Sequence, residues 1–454
     1  MPWKDCRAWV ANDQNLKEND SAKNNFINID TKFSTRRHRA PTKENTMHKL
    51  LTDNPGEKML LLGNEAIARG AVEAGVAFAT TYPGTPSSEI STNFFQMARE
   101  CDLYFEYCTN EKISMEVAAA AANSGVRSMC VMKHVGVNVA ADALMTLAYV
   151  GVKAGMVILS ADDPFMFSSQ NEQDNRYYAK LSGLPMLEPS SVAEAKNMVA
   201  DAFDLSEKLQ EPVLFRTTTR INHSTGVVTL SNIRERVTKG NFTKDPINLV
   251  VVPAVARNLH VKLLKNYDSA RELAEKSNYN FITGSGNRGI ICNGVSYSYV
   301  RDGLKDLKME NEIKVLRMGF SHPLPPALIK NFLKGCEKLL IVEEGEPYME
   351  EAVKAFAQEE GLTLPINGKT KDLFTRLYEY NPAQVKQCIA RYFDLPYTPP
   401  KAVDLSDVPE VPQRPPTLCA GCSHRATYLE VKRATEGMDT IFPSDIGCYT
   451  LGLL

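Results

Sequence analysis

Hydrophobic and polar positions alternate along this chain between short apolar runs and longer amphipathic stretches. The apolar, β-prone runs Phe78 to Tyr82, Tyr104 to Tyr107 and Met129 to Met132 each precede a stretch with helical spacing. Strands that alternate with helices are typical of a parallel sheet covered by helices. Because ligands of such sheets bind at the carboxyl ends of the strands, we expect a functional site in the loops between Tyr82 and Leu144.

The same pattern predicts an α/β fold of doubly wound, mostly parallel sheets. The composition changes at two places along the chain. The charged stretch 231–280 has an irregular period and is interpreted as a connecting segment with some helix. Prolines concentrate at 378–416, which is typical of a linker. These breaks divide the chain into an α/β domain at 58–230, a second at 281–365 and the start of a third at 417–454.

Residues 1–46 differ in composition from the rest of the chain. They are rich in Asn, Lys and Asp, include the basic run Arg36 to Arg39 and show no amphipathic period. Such a segment buries too little apolar area to offset the entropy of ordering it, so we expect it to be disordered. Met47 opens a stretch that reads as a natural protein start, and we expect it to be the true first residue.

Composition argues against several classes of protein. The chain is 43% hydrophobic and 23% charged, which is the usual balance of a folded globular protein. A net charge of -2 gives no basis for binding nucleic acid or a membrane surface. Its apolar runs all stay below the ~20 residues that a membrane span needs. The 10 cysteines are scattered except for one close pair, which suits a reducing cytoplasm better than a disulfide framework.

Glu111 is the candidate catalytic carboxylate. It comes directly after Asn110, a residue type that caps helices, at the start of an Ala-rich helix that is expected to end near Gly125. A carboxylate in this position commonly does no more than interact with the helix dipole, which should lower its pKa. Glu116 is the competing carboxylate, but it lies further into the same helix.

Two other motifs have ordinary structural explanations. The loop 284–289, GSGNRG, matches the dinucleotide-binding pattern, but its glycines precede a predicted strand instead of following one. We therefore interpret it as a plain connection. Glu343 and Glu344 end another predicted strand, where they could face a ligand or lie in solvent beside a helix N-terminus.

The close pair Cys419 and Cys422 has the C-x-x-C spacing of ligands for zinc or for an iron–sulfur cluster. Cys448 is a possible third ligand, and His424 is a possible ligand if the metal is zinc. Thiols without any metal are equally compatible with this spacing, so both interpretations stay open here.

Six motifs follow one another along the chain: YPGTPSSE, NEKISMEVAAAAANSGVRS, KHVGVNVAAD, SSQNEQDNR, CAGCSHR and SDIGCYTLG. In this order they resemble the alpha subunits of indolepyruvate ferredoxin oxidoreductases, a family of thiamine diphosphate-dependent 2-oxoacid oxidoreductases. The resemblance runs from about Met47 to the last residue. It implies a thiamine diphosphate-binding fold, with a pyrimidine-binding domain at 58–230, a transketolase C-terminal-like domain at 281–365 and the start of a diphosphate-binding domain at 417–454.

The resemblance also implies roles for individual residues. Glu111 is similar in placement to the glutamate that hydrogen-bonds the aminopyrimidine of the cofactor, and Thr85 to a hydroxyl that faces the substrate. Five further residues are implied to bind the cofactor: Gly136, Asn138, His424, Asp445 and Gly447. The three cysteines Cys419, Cys422 and Cys448 resemble motifs that surround a [4Fe-4S] cluster in some related beta subunits.

The activity that this resemblance implies is oxidative decarboxylation of indolepyruvate and other arylpyruvates to aryl-acetyl-CoA and carbon dioxide, with reduction of ferredoxin. The implied cofactors are thiamine diphosphate, Mg²⁺ and [4Fe-4S] clusters. Coenzyme A, ferredoxin and a beta subunit in a dimer of heterodimers are the implied partners. The family's Mg²⁺-binding Gly-Asp motif and its cysteine-rich carboxy-terminal domain find no match before Leu454, so we expect a truncated chain that is inactive alone. A non-oxidative thiamine-dependent decarboxylase and a non-catalytic remnant are the alternatives.

Overall fold

The structure is a computed structural model that describes residues 47–369, 373–401, 403–443 and 447–453. The expectations for 1–46 and for Asp445 therefore lie outside the described residues. The chain divides into two compact units between Phe393 and Asp394. We call them the amino-terminal and the carboxy-terminal unit and describe each by itself.

The amino-terminal unit contains both large sheets of the described chain. Its strands are β1 (Lys58–Leu62), β2 (Phe78–Thr81), β3 (Tyr104–Tyr107), β4 (Ser128–Lys133), β5 (Met156–Asp162), β6 (Met186–Leu187), β7 (Val213–Thr218), β8 (Thr225–Thr229), β9 (Asn280–Thr283), β10 (Arg288–Asn293), β11 (Ile313–Met318), β12 (Phe320–His322), β13 (Lys338–Val342) and β14 (Ile366–Asn367).

Helices connect these strands. They are α1 (Gly63–Glu73), α2 (Ser88–Met97), α3 (Glu111–Asn123), α4 (His134–Val150), α5 (Arg176–Ser182), α6 (Val192–Leu209), α7 (Thr219–His223), α8 (Pro246–Leu249), α9 (Pro253–Glu275), α10 (Gly294–Asp306), α11 (Pro326–Lys334), α12 (Tyr348–Glu359) and α13 (Pro382–Tyr392). In the carboxy-terminal unit, the structure shows α14 (Ser423–Ala434) and a 3₁₀ helix at Cys448–Leu453.

The first large sheet has seven strands in the order β12-β6-β7-β5-β4-β2-β3. Its strands pair in parallel except for β12, which runs antiparallel to β6. The residues of β5 and β7 are buried along their whole length. Burial on both faces explains the continuous apolar runs in the sequence, and the predicted α/β fold with mostly parallel sheets is confirmed.

The second sheet has five strands in the order β14-β13-β10-β11-β9, and only β9 is antiparallel to its neighbour. The glycine-rich loop 284–289 leads into β10, as its interpretation as a plain connection requires. Strand β1, which opens the β/α alternation in the sequence, joins neither large sheet. It pairs antiparallel with β8 in a separate two-stranded sheet.

A shared strand connects the two predicted α/β domains. β12 lies within the range 281–365 but pairs with β6 of the seven-stranded sheet, through Phe320 with Leu187 and His322 with Met186. Alternation along the sequence cannot show such a pairing, because the partners are more than 100 residues apart in the chain.

The predicted linker 378–416 is wrong for its first part, which contains α13. Asn381 caps this helix by accepting a hydrogen bond from the amide of Gln384, and Val385 and Ile389 are fully buried. Pro382 occupies the first turn of the helix, where a missing N–H costs nothing. The connecting segment 231–280 holds α8 and the 23-residue helix α9.

Within the ranges that the structure describes, we find no helix with both the length and the apolar character needed to cross a membrane.

Arg176, the first residue of α5, ties the loop after β5 to the five-stranded sheet. Its guanidinium donates to Asp174 at 2.5 to 3.1 Å and to Glu343, just after β13, at 2.5 Å. It also donates to the backbone carbonyls of Glu344 (2.7 Å) and Glu346 (2.9 Å). The side chains of Arg176, Asp174 and Glu343 are at most 2% exposed, so this is a buried ion-pair network.

Arg216 on β7 extends the network across the seven-stranded sheet. It donates to Asp162 at the end of β5 (2.7 Å) and to Glu188 after β6 (2.5 Å), and it lies 3.7 Å from Asp174. The other oxygen of Glu188 accepts from the side chain of Asn293 at the end of β10 (3.0 Å). Both sheets therefore contribute charged or polar groups to one buried cluster.

Glu343 and Glu344 are 1% and 5% exposed, so the alternative of solvated carboxylates is wrong. Glu343 accepts from the backbone amides of Met349 and Glu350 in the first turn of α12, at 2.9 and 3.0 Å. The helix N-terminus thus stabilises its charge together with Arg176. Burial raises the pKa of Glu344 to about 7, against one hydrogen bond from the amide of Tyr380.

Replacing Arg176 by Met should lower the free energy of unfolding by about 3–5 kcal/mol, because Asp174 and Glu343 would remain buried without their partner. Urea unfolding followed by circular dichroism measures this. Arg301→Met is the matched control, since Arg301 forms an exposed pair with Asp302 at 3.4 Å and should change stability by less than about 0.5 kcal/mol. Equal losses in both variants would contradict a special role for the network.

Candidate functional site

The candidate site is formed by the segments that follow β2, β3, β4 and β5. These are the YPGTP loop at 82–86, the start of α3, the start of α4 and the loop 163–175. The four strands are neighbours in the seven-stranded sheet and parallel, so their carboxyl ends lie along the same edge. Side-chain contacts between the four segments show that they meet there, as the sequence pattern predicts.

Glu111 is the first residue of α3, and the predicted cap is confirmed, because Asn110 Oδ1 accepts from the amide of Ile113 at 2.9 Å. The Glu111 side chain is 8% exposed. Burial raises its pKa, and this effect outweighs the hydrogen bond from its own amide and the charge of Lys133, which both lower it. The expected lowering of the Glu111 pKa is therefore wrong, since desolvation exceeds the effect of the helix N-terminus.

Glu116, the competing carboxylate, has a different environment. Its side chain is 48% exposed on the outer face of α3, where it lies 3.9 Å from the ammonium of Lys112. An exposed pair of this kind is worth little. Of the two candidate carboxylates in α3, Glu111 is the buried one.

Gly136 lies directly against Glu111. A Cβ at this position would be 2.6 Å from Glu111 Cγ and 2.7 Å from Oε1, closer than side-chain atoms approach one another. Helix α4 begins immediately after β4, which brings its third residue over the start of α3. The structure thus brings two of the sequence-predicted site residues into contact and shows why one of them is glycine.

Lys133, the last residue of β4, contacts two loops of the site. Its ammonium donates to the backbone carbonyl of Ser168 at 2.8 Å, and its methylenes lie where a Cβ on Gly84 would meet them at 3.0 Å. Burial lowers the pKa of Lys133, while the negative charges of Asp163 and Glu111 raise it. A cation whose pKa is lowered by burial therefore lies near Glu111.

His134 is fully buried at the start of α4. Its Nε2 lies 3.2 Å from both the backbone carbonyl and the side-chain oxygen of Asn171. Its Nδ1 is buried and has no hydrogen-bond partner in the described part of the chain. A buried polar atom of this kind is uncommon in folded proteins and often marks a functional site.

Thr85 is exposed on the YPGTP loop and precedes a cis peptide bond to Pro86. Its carbonyl accepts from Ser168 Oγ at 3.3 Å, and its hydroxyl lies 3.5 Å from Ser88 Oγ. Thr85 lines a cavity of about 380 Å³, together with Ser168, Arg220 and four other residues: Phe167, Thr219, His223 and Ser224.

Asn138 fastens the loop 163–175 to α4. Its amide exchanges hydrogen bonds with Gln173 at 2.8 and 2.9 Å and accepts from the hydroxyl of Tyr178 at 2.7 Å. Gln173 in turn donates to the backbone carbonyl of His134 at 3.2 Å. Asn138 therefore connects α4 to the loop 163–175 at the edge of the site. Its expected contact with a cofactor stays a prediction.

Asp163 is a site residue that the sequence motifs do not single out. Its carboxylate accepts from the amide of Ser168 (2.9 Å) and from the hydroxyls of Ser169 (2.7 Å) and Thr219 (2.9 Å). Burial favours a higher pKa for Asp163, but these hydrogen bonds lower it below its ordinary value. The length and polar composition of the loop 163–175 are the sequence signal that points to it.

The remaining predicted ligands lie in the carboxy-terminal unit. Cys422 Sγ is 3.3 Å from Nδ1 of His424, whereas Cys419 and Cys448 are exposed. Gly447 immediately precedes the 3₁₀ helix. The described residues contain no group of three or more His, Cys, Asp or Glu side chains placed to hold a metal ion. Cluster and metal binding by these residues stay predictions.

Comparison with known proteins defines the class. Residues 69–270 match the family described as "Pyruvate flavodoxin/ferredoxin oxidoreductase, thiamine diP-bdg". The solved structure of 2-oxoglutarate:ferredoxin oxidoreductase from Magnetococcus marinus has a similar fold, with a TM-score of 0.61 and 17% identity, over 74% of this chain and 65% of that one. The chain contains a thiamine diphosphate-binding domain of the 2-oxoacid oxidoreductase type.

The particular family follows from closer relatives. The chain is 46% identical over 415 residues to indolepyruvate oxidoreductase subunit IorA of Methanothermobacter thermautotrophicus, covering 90% of this chain and 66% of that subunit. With subunit IorA of Thermococcus kodakarensis it shares 46% identity over 417 residues, or 89% and 64% of the two chains. The chain belongs to the family of these IorA subunits, which confirms the resemblance, and it spans about two thirds of their length.

The residues of the site fit the aminopyrimidine end of thiamine diphosphate. A ring nitrogen of the aminopyrimidine can form a hydrogen bond with a carboxyl, and Glu111 provides a buried carboxyl whose pKa is raised. The glycine at position 136 lies directly against this carboxyl, and the unpartnered Nδ1 of His134 is a further polar group at the same sheet edge. Among the described residues, we identify no group of three or more His, Cys, Asp or Glu side chains that could hold the Mg²⁺.

Gly136→Ala should destabilise the chain by about 1–3 kcal/mol, because the added methyl overlaps the Glu111 side chain. A double-mutant cycle with Glu111→Ala isolates this contact, since removing the Glu111 carboxyl should restore most of the lost stability. Additive losses measured by urea unfolding would show that Gly136 is required for another reason.

Glu111→Gln should raise the melting temperature relative to the unchanged chain, and more at about pH 8 than at about pH 4. The folded-state pKa of Glu111 lies above its unfolded value of about 4.3, so stability is lost as pH rises through the folded pKa and the carboxyl ionises. Gln cannot ionise and avoids that loss. In the exposed control Glu116→Gln, the difference should be small at both pH values, and a pH-independent gain for Glu111→Gln would refute the assignment of a raised pKa.

Proposed function

We propose that this chain acts in the alpha subunit of an indolepyruvate ferredoxin oxidoreductase, which decarboxylates indolepyruvate and other arylpyruvates oxidatively. The observation that carries the proposal is the buried Glu111 carboxyl against Gly136, in a domain that matches a thiamine diphosphate-binding family. The substrate is taken from the names of the IorA relatives.

When bound, thiamine diphosphate supplies an electron sink for the decarboxylation of a 2-oxoacid. The part of Glu111 is to hold a proton on its carboxyl and to share it with a ring nitrogen of the aminopyrimidine. A raised pKa keeps the proton available at higher pH than an ordinary glutamate would. Gly136 lets the start of α4 lie directly against that carboxyl, because any side chain at this position would overlap Glu111.

The cavity beside Thr85 is our candidate for substrate binding. Its volume of about 380 Å³ is in the range of small-molecule sites, and Phe167 gives it an aromatic wall. Arg220, which is about half exposed and paired with Glu379, brings a positive charge to the same wall. An arylpyruvate has an aromatic ring and a carboxylate, which this combination suits, and Thr85 offers a hydroxyl to it.

The assembly that we propose includes a beta subunit in a dimer of heterodimers, ferredoxin as electron acceptor and coenzyme A as acyl acceptor, in the cytoplasm. Mg²⁺ and [4Fe-4S] clusters belong to the same proposal, with Cys419, Cys422 and Cys448 as candidate cluster ligands. Because the described residues include no metal-binding group of three, we assign no step of the reaction to either metal.

The proposal is tested by Glu111→Gln in the assembled enzyme that contains this chain. An amide cannot share a proton as a carboxyl does, so activity should fall by roughly 10²–10⁴-fold while the circular dichroism spectrum is unchanged. Glu116→Gln is the matched control in the same helix and should retain near-normal activity. A damaging Glu116→Gln with a mild Glu111→Gln would show that the wrong carboxylate has been chosen.

Carbon dioxide release and ferredoxin reduction should be measured separately in this experiment. The proposed reaction requires both products to appear together and to fall together in Glu111→Gln. Carbon dioxide release without any reduction of ferredoxin would instead favour the non-oxidative decarboxylase.

A further inference from the structure

A second cavity lies where β12, α5, α9, α11 and α12 meet, and the proposed reaction does not use it. Its volume is about 460 Å³, within the range of sites for small organic ligands. The rings of Tyr267, Tyr348 and Phe356 and the aliphatic side chain of Leu324 provide an apolar interior. A smaller cavity of about 280 Å³ adjoins it, and His322, Lys180 and Tyr267 line both.

His322, on β12, is a buried polar residue in the wall of this cavity. It is 4% exposed, and its Nδ1 lies 2.5 Å from the hydroxyl of Tyr348. Its Nε2 is buried and unpaired among the residues described. Burial, together with the charge of Lys180, lowers the pKa of His322 to about 3, so the imidazole is neutral. When the Tyr348 hydroxyl donates to Nδ1, Nε2 carries the hydrogen and can donate to an acceptor.

Lys180 brings positive charge to the same cavity. It is exposed, and its ammonium lies 6.0 Å from the ring centroids of Tyr177 and Tyr348. In the described part of the chain it forms no ion pair, whereas Lys330, also in the cavity wall, pairs with Glu359 at 2.9 Å. Arg271 adds a second cation to the wall and pairs with Asp268 at 3.0 Å. The unneutralised charge is thus that of Lys180.

We propose that this cavity binds a small aromatic carboxylate, with its ring among Tyr267, Tyr348 and Phe356 and its carboxylate at Lys180. An aromatic ring matches the lining, and an anionic head neutralises the ammonium and offers acceptor oxygens to a histidine N–H.

This ligand site is distinct from that of Glu111. The residues that line the cavity do not include Glu111 or Gly136, and none of them lines the cavity beside Thr85. The proposal therefore does not depend on the proposed reaction and can fail or succeed without it.

Isothermal titration calorimetry of the full 454-residue chain with phenylacetate tests the proposal. Phenylacetate should bind saturably to a site that requires Lys180, while phenylacetamide, which has the same shape without the charge, and acetate, which lacks the ring, should bind at least about tenfold more weakly. Lys180→Met should weaken phenylacetate binding by about tenfold. Lys265→Met, an exposed lysine of α9 outside the cavity, is the matched control and should have no effect.

Two further variants locate the site. Phe356→Ala should weaken phenylacetate binding, and Phe167→Ala, in the cavity beside Thr85, should leave it unchanged; the melting temperature of each variant confirms folding. The proposal is overturned by an absence of saturable binding, by equal binding of phenylacetamide, by an unaffected Lys180→Met variant, or by binding that is lost in Phe167→Ala.

Discussion

The burial of charged groups between the two large sheets is the constraint on which the candidate site depends. Asp162 precedes the loop 163–175 and Asp174 lies near its end, and each is held by an arginine, Arg216 and Arg176 respectively. The arginines are in turn fixed by acidic residues that follow other strands. A loop of this length would otherwise be free to sample many conformations, and ordering it costs about 1–2 kcal/mol per residue.

What the loop carries explains why its ends are held so firmly. Between the two aspartates it places Ser168 against Thr85 and Lys133, and Asn171 against His134. These contacts join the loop to the segment after β2, to the end of β4 and to the start of α4. A buried ion pair is stable only when its geometry is close to ideal, since a displaced partner leaves a desolvated charge without compensation. The network therefore fixes the position of the loop relative to both sheets. The loop in turn contacts the segments that form the site.

Local features of the site can be predicted from the sequence, whereas non-local features cannot. The cap at Asn110, the place of Glu111 in the first turn of α3 and the position of Gly136 after β4 depend on residues close to one another in the chain. The pairing of β12 with β6 and the ion pair between Arg176 and Glu343, 167 residues apart, depend on the folded chain. Helix α13 lies in the stretch 378–416, where the prolines predict a linker. Its packing against α10 depends on the folded chain and is not visible in the sequence pattern. The predicted pKa of Glu111 has the wrong direction for the same reason, since depth of burial is a property of the fold.

Burial raises the pKa of Glu111 and opposes the ionisation of Asp174 in the network, but the partners of the two carboxylates differ. Asp174 is hydrogen-bonded to Arg176, which together with Arg216 lowers its pKa and keeps it ionised. Glu111 has no arginine within hydrogen-bonding distance in the described structure, and its nearest cation, Lys133, has its own pKa lowered by burial. The fold therefore keeps Asp174 ionised, whereas no arginine fixes the charge of Glu111. The role that we propose for Glu111, sharing a proton with a ligand, requires a carboxyl whose charge is not fixed, and an arginine beside it would fix that charge.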